Sequence, residues 1–352
     1  MALRIFVLLA ALAGMTGCTT QQVLNSLTTD TGYTIASNIT FDSAFNLRLD
    51  VYTPHNVQNA PVVVFFYGGR WSSGSKDEYK FVGQALTSQG FVVVIADYRK
   101  YPQVRFPAFV RDGANAVRWT HDNIGQYGGD PGKLFVMGFD SGAHIAAMLA
   151  LDPEYLKAVG DSNRSWLKGM IGLAGPYDFM PITAPDLRDL FGPPEQFAQS
   201  QPIMYVDGKN PPLLLMTGMD DDSVLPKNTL SLASAVSKSG GVVETVTYPH
   251  MSHSMILATI AAPLRKNSDV LAYVTSFIRR RSVAAPVAQG QGGVPLDDIQ
   301  IQPLEVMPPP ASATQVQLPP PTPLPAPVPV PAANTVPAAA PASPPLPAPG
   351  TP

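Results

Sequence analysis

Five short stretches of the chain are apolar almost without interruption: PVVVFFY (61–67), FVVVIADY (91–98), KLFVMGF (133–139), KGMIGLAG (168–175) and PPLLLMTG (211–218). Runs of this length, without polar alternation, fit strands covered on both faces, as in a parallel sheet. Between them lie the helical stretches KDEYKFVGQALTSQG (76–90), AFVRDGANAVRWTHDNIGQYG (108–128) and GAHIAAMLALD (142–152). Strand–helix alternation predicts a doubly wound α/β sheet with right-handed crossovers. Upstream, ASNITFDS (36–43) and NLRLDVYTP (46–54) alternate polar and apolar residues and predict an antiparallel edge hairpin. Downstream, VVETVTYP (242–249) reads as a last strand and SDVLAYVTSFIRRR (268–281) as a closing amphipathic helix. Arg279, Arg280 and Arg281 at its end suit the negative pole of the helix dipole.

The two ends of the 352-residue chain depart from this pattern. Residues 1–17 combine Arg4, a short apolar run and small residues, which fits a signal peptide better than a membrane span. Met15-Thr16-Gly17-Cys18 resembles a bacterial lipobox, so Cys18, the only cysteine, is expected to carry lipid and anchor the protein to the cell envelope. Thr19 does not resemble an inner-membrane retention signal, which favours the outer membrane. Residues 18–29 are expected to be a linker and 30–281 one α/β domain, long enough for a well-buried core. Residues 282–352 hold 21 of the 38 prolines and no Lys or Arg. They are expected to form an extended, disordered tail, with contact to an envelope protein or the cell wall as one possible use. Asp297, Asp298 and Glu305 in the tail account for the whole net charge of −3, leaving a neutral body with no basic field for nucleic acid.

In a doubly wound sheet the chemistry gathers at the carboxyl ends of the strands. Gly138-Phe139-Asp140-Ser141-Gly142 follows one strand and opens a helix, with the small–x–nucleophile–x–small spacing of a nucleophile elbow centred on Asp140. Centring it on Ser141 would put Phe139 at a position that needs a small residue, so Ser141 is read as the following residue, its N–H an oxyanion donor. Tyr67-Gly68-Gly69-Arg70-Trp71 follows the first parallel strand, where a glycine pair lets backbone N–H groups approach an oxyanion. A carboxylate in Asp220-Asp221-Asp222 and a late histidine, His253 with His250 three residues before it as a competitor, complete the order nucleophile–acid–histidine along the chain. Asp220 and Asp222 read as an exposed acidic turn, and neither a metal nor a cofactor is expected.

These residues resemble bacterial carboxylesterases of the α/β-hydrolase fold, near the hormone-sensitive-lipase and feruloyl-esterase-like groups. The resemblance runs from about Thr34 to Arg281 and includes Gly74-Ser75-Lys76, Asp97-Tyr98-Arg99, Phe106-Pro107-Ala108 and Gly128-Gly129-Asp130-Pro131. It implies Asp221 as the acid, His253 as the histidine and a small acyl or ester-like ligand. The chain departs from it twice, with Asp140 in place of the nucleophilic serine and Tyr67 and Arg70 in a His-Gly-Gly-Gly-Trp loop.

Three readings follow. Asp140 could attack saturated carbon and form an alkyl ester that His253-activated water hydrolyses. Residual ester hydrolysis could survive, although losing the serine costs about six powers of ten in turnover. Catalysis could be lost, with Arg70 paired to Asp140 across the former oxyanion hole and the domain kept for binding. Two changes at the reacting centre favour impaired esterase chemistry. Residues 152–168 and 177–210 are expected to form a partial lid, with Phe179, Met180, Leu190 and Phe191 available for an acyl pocket.

Overall fold

The computed structural model describes residues 20–161 and 164–283. The expected signal peptide with Cys18, and residues 284–352 of the expected tail, lie outside the described residues, while Ser282 still belongs to the last helix. Eight strands form one sheet in the order β1-β2-β4-β3-β5-β6-β7-β8. They are β1 (Tyr33–Asp42), β2 (Leu47–Pro54), β3 (Ala60–Phe66), β4 (Val92–Ala96), β5 (Gly129–Phe139), β6 (Leu167–Leu173), β7 (Leu213–Gly218) and β8 (Val243–Tyr248). β1, β2 and β4 pair antiparallel, and all neighbours from β4 through β8 pair parallel.

Burial follows the pattern in the sequence. Every residue of β4 and β7 is buried, whereas the edge strand β1 buries only Tyr33 and β8 mixes half-buried and exposed positions. A central strand has helices on both faces and an edge strand has one face in water. β1 also changes register twice against β2. At the first shift Asn38 has φ +59° and its N–H donates to Asp50 Oδ1 at 2.7 Å. Such bulges blunt a free edge.

The helices are α1 (Thr20–Ser26), α2 (Lys80–Thr87), α3 (Ala108–Asn123), α4 (Ser141–Leu151), α5 (Pro153–Lys157), α6 (Pro185–Phe191), α7 (Lys227–Lys238), α8 (His253–Ala258) and α9 (Val270–Ser282). One expectation is corrected here. Part of the supposed linker is α1, which buries Leu24, while Asn25 accepts from Phe81 N–H and donates to Asp77 O. The arginines ending α9 reach specific partners: Arg280 and Arg281 pair with Glu244, and Arg279 donates to Gln89 O.

Candidate active site

The turn from β5 into α4 is the pivot of the site. Asp140 stands at it with φ +51° and ψ −125°, a conformation that a non-glycine residue adopts only at a cost. The two flanking glycines are there for space. A Cβ on Gly138 would lie 2.2 Å from Gly142 O, and one on Gly142 would lie 2.0 Å from Phe66 O. Only bare backbones can approach this closely, and the approach lifts the Asp140 side chain above the sheet.

Opposite the elbow, the loop after β3 runs through positive φ at Gly69 (+127°), Arg70 (+53°) and Trp71 (+57°). This conformation turns successive N–H groups toward Asp140. Gly69 N–H donates to Asp140 Oδ2 at 2.9 Å and Arg70 N–H to the same oxygen at 3.1 Å. Gly68 permits the contact, since a Cβ there would lie 2.9 Å from Asp140 Cβ. The pair of N–H groups that an acyl-transfer enzyme aims at an oxyanion is thus occupied by the protein's own carboxylate.

The other carboxylate oxygen, Oδ1, lies 4.0 Å from His253 Nε2. His253 opens α8 after β8, and its Nδ1 lies 2.8 Å from Asp221 Oδ2. Asp221 is buried, and its Oδ1 accepts from Ser223 and Val224 N–H. The acid is therefore anchored through Oδ1, which leaves Oδ2 for the imidazole. Burial pulls the His253 pKa down, but the Asp221 hydrogen bond and the charges of Asp140, Asp221 and Asp222 outweigh it, and the net shift is upward. Asp221 thus holds Nε2 toward Asp140, the orientation of a general base.

The profile of the family described as BD-FAE matches residues 49–236, more than half of the chain. The chain belongs to the BD-FAE family. A probable isoprenylcysteine alpha-carbonyl methylesterase of Arabidopsis thaliana is 28% identical over 247 residues, covering 63% of this chain and 51% of the relative. Esterase LipC of Mycobacterium tuberculosis is 30% identical over 184 residues, 47% of this chain and 45% of the relative. The matches thus span about half the length of these curated relatives. Among solved structures, a Pyrobaculum calidifontis esterase superposes with a TM-score of 0.64 at 23% identity, over 75% of this chain and 91% of that one. A truncated carbohydrate esterase from gut microbiota gives 0.62 at 22%, over 72% and 98%. These likenesses establish the α/β-hydrolase fold.

Within this BD-FAE domain the remaining candidates divide between site and scaffold. Arg70 corrects the expectation of an ion pair across the hole. Its Nε and Nη2 fork onto Asp186 of α6, each at 3.1 Å, and its guanidinium makes no ion pair with Asp140. Arg70 still lines the cleft, but its backbone N–H, not its guanidinium, reaches Asp140. Tyr67 is also corrected: it is fully buried and stacked between Tyr79 and Tyr98, and its hydroxyl donates to Asp97 Oδ1 at 2.8 Å. The Ser141 hydroxyl is buried away from the cleft, and its N–H, first in α4, has no partner a turn earlier in the helix. Trp71 lines the cleft while its Nε1–H donates to Nδ1 of the buried His144 at 3.3 Å. His144 Nε2 in turn lies 2.7 Å from Ser200 O, which fixes it as the donor. Burial lowers the His144 pKa to about 4.

Asp140 and His253 form the floor of a cleft of about 800 Å³ walled by Phe179, Met180, Pro181, Leu187, Val224 and Leu225. The expected lid is thus partly placed and partly corrected. Phe179 and Met180 face the cleft, but Leu190 and Phe191 are buried, with Phe191 stacked edge-on against Trp71. None of the described residues of 152–168 lines the cleft. Lys227 and Ser223, which the sequence did not single out, do line it. Asp220 and Asp222 are exposed, and among the described residues no group of three or more His, Cys, Asp or Glu is set to hold a metal.

Proposed function

We infer that this esterase-family domain has lost serine-type ester hydrolysis and keeps its cleft to bind a small amphipathic ligand against Asp140 and His253. The observation that carries the reading is the pair of hydrogen bonds from Gly69 and Arg70 N–H to Asp140 Oδ2. An ester carbonyl needs those donors as its oxygen becomes an alkoxide, and losing even one costs about 10²–10³ in turnover. A carboxylate attacking an acyl carbon would, in addition, form an anhydride in place of a stable acyl ester. The cleft's apolar wall above a charged floor is the kind of surface that binds small molecules.

The test is turnover of short p-nitrophenyl esters by the wild-type protein and by Asp140→Ser. The reading expects wild-type rates at the uncatalysed background and activity gained on substitution, because Asp221 and His253 are already aligned. Wild-type turnover that Asp140→Ser does not improve would overturn it. An envelope location through lipid on Cys18 is part of the same proposal. Metabolic labelling with a fatty acid should mark the wild-type chain and spare Cys18→Ser, and equal labelling of both would remove it.

A further inference from the structure

Asp140 is held asymmetrically. Oδ2 accepts both N–H groups of the loop, whereas Oδ1 accepts no hydrogen bond among the described residues and lies 4.0 Å from His253 Nε2. One oxygen is therefore free to act as a nucleophile. The other already sits where charge would develop if water later attacked Cγ.

We propose that Asp140 is an alkyl acceptor and that the cleft hydrolyses substrates bearing a strong-acid leaving group on a primary saturated carbon, such as alkyl halides or alkyl sulfates. The proposal rests on the absence of serine-type acyl transfer, since it needs Asp140 as a carboxylate. In the first step an electron pair on Oδ1 forms a bond to the carbon, and the leaving group departs with the electrons of the broken bond. Asp140 becomes a neutral alkyl ester with Oδ2 as its carbonyl oxygen. In the second step His253 Nε2 takes a proton from water, whose oxygen attacks Cγ. The oxyanion forms on Oδ2, between Gly69 and Arg70 N–H. Collapse breaks the Cγ–O(alkyl) bond, His253 returns its proton to the alkoxide, and the alcohol leaves. Asp140 is restored with the water's oxygen in its carboxyl group, and the net change is R–X + H2O → R–OH + X⁻ + H⁺.

Three features support this assignment. Asp140's charge, 4.0 Å away, helps raise the His253 pKa, so alkylation, which removes that charge, eases loss of the imidazole proton when a base is required. Lys227 lines the cleft and has no carboxylate partner among the described residues, so it can face an anionic leaving group. No tyrosine lines the cleft among the described residues, which argues against leaving groups that must be protonated as they depart.

The experiment uses 1-bromobutane, n-butyl sulfate and n-butyl tosylate as probes. With His253→Gln, whose fold is checked by circular dichroism, a stable butyl adduct should appear on the peptide containing Asp140. Asp140→Asn should show none. Single turnover of wild type in heavy-oxygen water should place the label in Asp140 and leave the butanol unlabelled. Lys227→Met should slow adduct formation from the sulfate about fivefold, the scale of one exposed ion pair, with less effect on the bromide. Absence of an adduct from all three probes, or label in the butanol, overturns the proposal. Neither outcome touches the loss of acyl-ester turnover, which the p-nitrophenyl assays decide separately.

Discussion

Replacing Asp140 by asparagine removes one negative charge while keeping an oxygen that can accept from Gly69 and Arg70 N–H. The charge lies 4.0 Å from His253 Nε2. The imidazole and carboxylate side chains are only 18% and 16% exposed, so the medium between them is far from bulk water. At that separation a charge pair is worth about 4 kcal/mol at an effective dielectric constant of 20 and about 1 kcal/mol in water. Partial burial places this pair nearer the first value. The His253 pKa, held up by Asp221 and Asp140 against burial, should therefore fall in Asp140→Asn. The sign also fixes a stability effect. A histidine with a raised folded pKa stabilises the fold fully below its unfolded value of about 6.5 and loses that contribution as pH rises through the folded value. The variant should lose stability relative to wild type at pH 5 and converge on it at pH 9. The assay is an NMR titration of the His253 ring, with urea unfolding at both pH values. An unchanged titration would refute the placement of Asp140 beside the imidazole.

Other expectations follow from the same geometry. His144 is fully buried and neutral with a pKa of about 4, so its unfolded form binds a proton that the native form refuses. About 3 kcal/mol of stability should disappear between pH 6.5 and 4 through this group, and His144→Asn should flatten that part of the stability–pH curve. Gly142→Ala would put a Cβ 2.0 Å from Phe66 O in a central strand and should cost about 3 kcal/mol in urea unfolding, or prevent folding. A midpoint within error of wild type would contradict the elbow geometry. Asp186→Ala should cost less than about 1 kcal/mol, because the Arg70–Asp186 fork is half exposed, and the difference should shrink in 1 M salt.

The fold was legible because burial on two faces leaves a continuous apolar run and burial on one face leaves alternation, and β4 and β8 show the two signatures side by side. Less legible was α7, whose inward face buries the polar Asn228 and Thr229 beside Leu232 and Val236. α1 was missed because a seven-residue helix with one buried leucine has too little periodicity to stand out. In the site, spacing located Asp140, the resemblance implied Asp221 and His253, and the structure brings the three together. Spacing could not say where side chains turn. Arg70 looked like a partner for Asp140 because both interrupt a familiar pattern, yet a positive φ sends its guanidinium to Asp186 and its N–H into the hole. Tyr67 likewise is buried and hydrogen-bonded to the half-buried Asp97 and Lys100. A tertiary partner far along the chain decided both cases. The exposed Lys227 gave no sequence signal, and only the folded cleft brings it near the reacting centre.

The central claim is that the Asp140 carboxylate fills the oxyanion hole, and the amide protons of Gly69 and Arg70 report on it directly. Charge-assisted hydrogen bonds are short and strong, so both resonances should lie downfield in the wild-type protein. In Asp140→Ala both should move upfield and exchange faster with water, while amides of the central strands stay unchanged. If the Gly69 and Arg70 amides keep their wild-type shifts and protection in Asp140→Ala, the carboxylate is not their acceptor and the account fails.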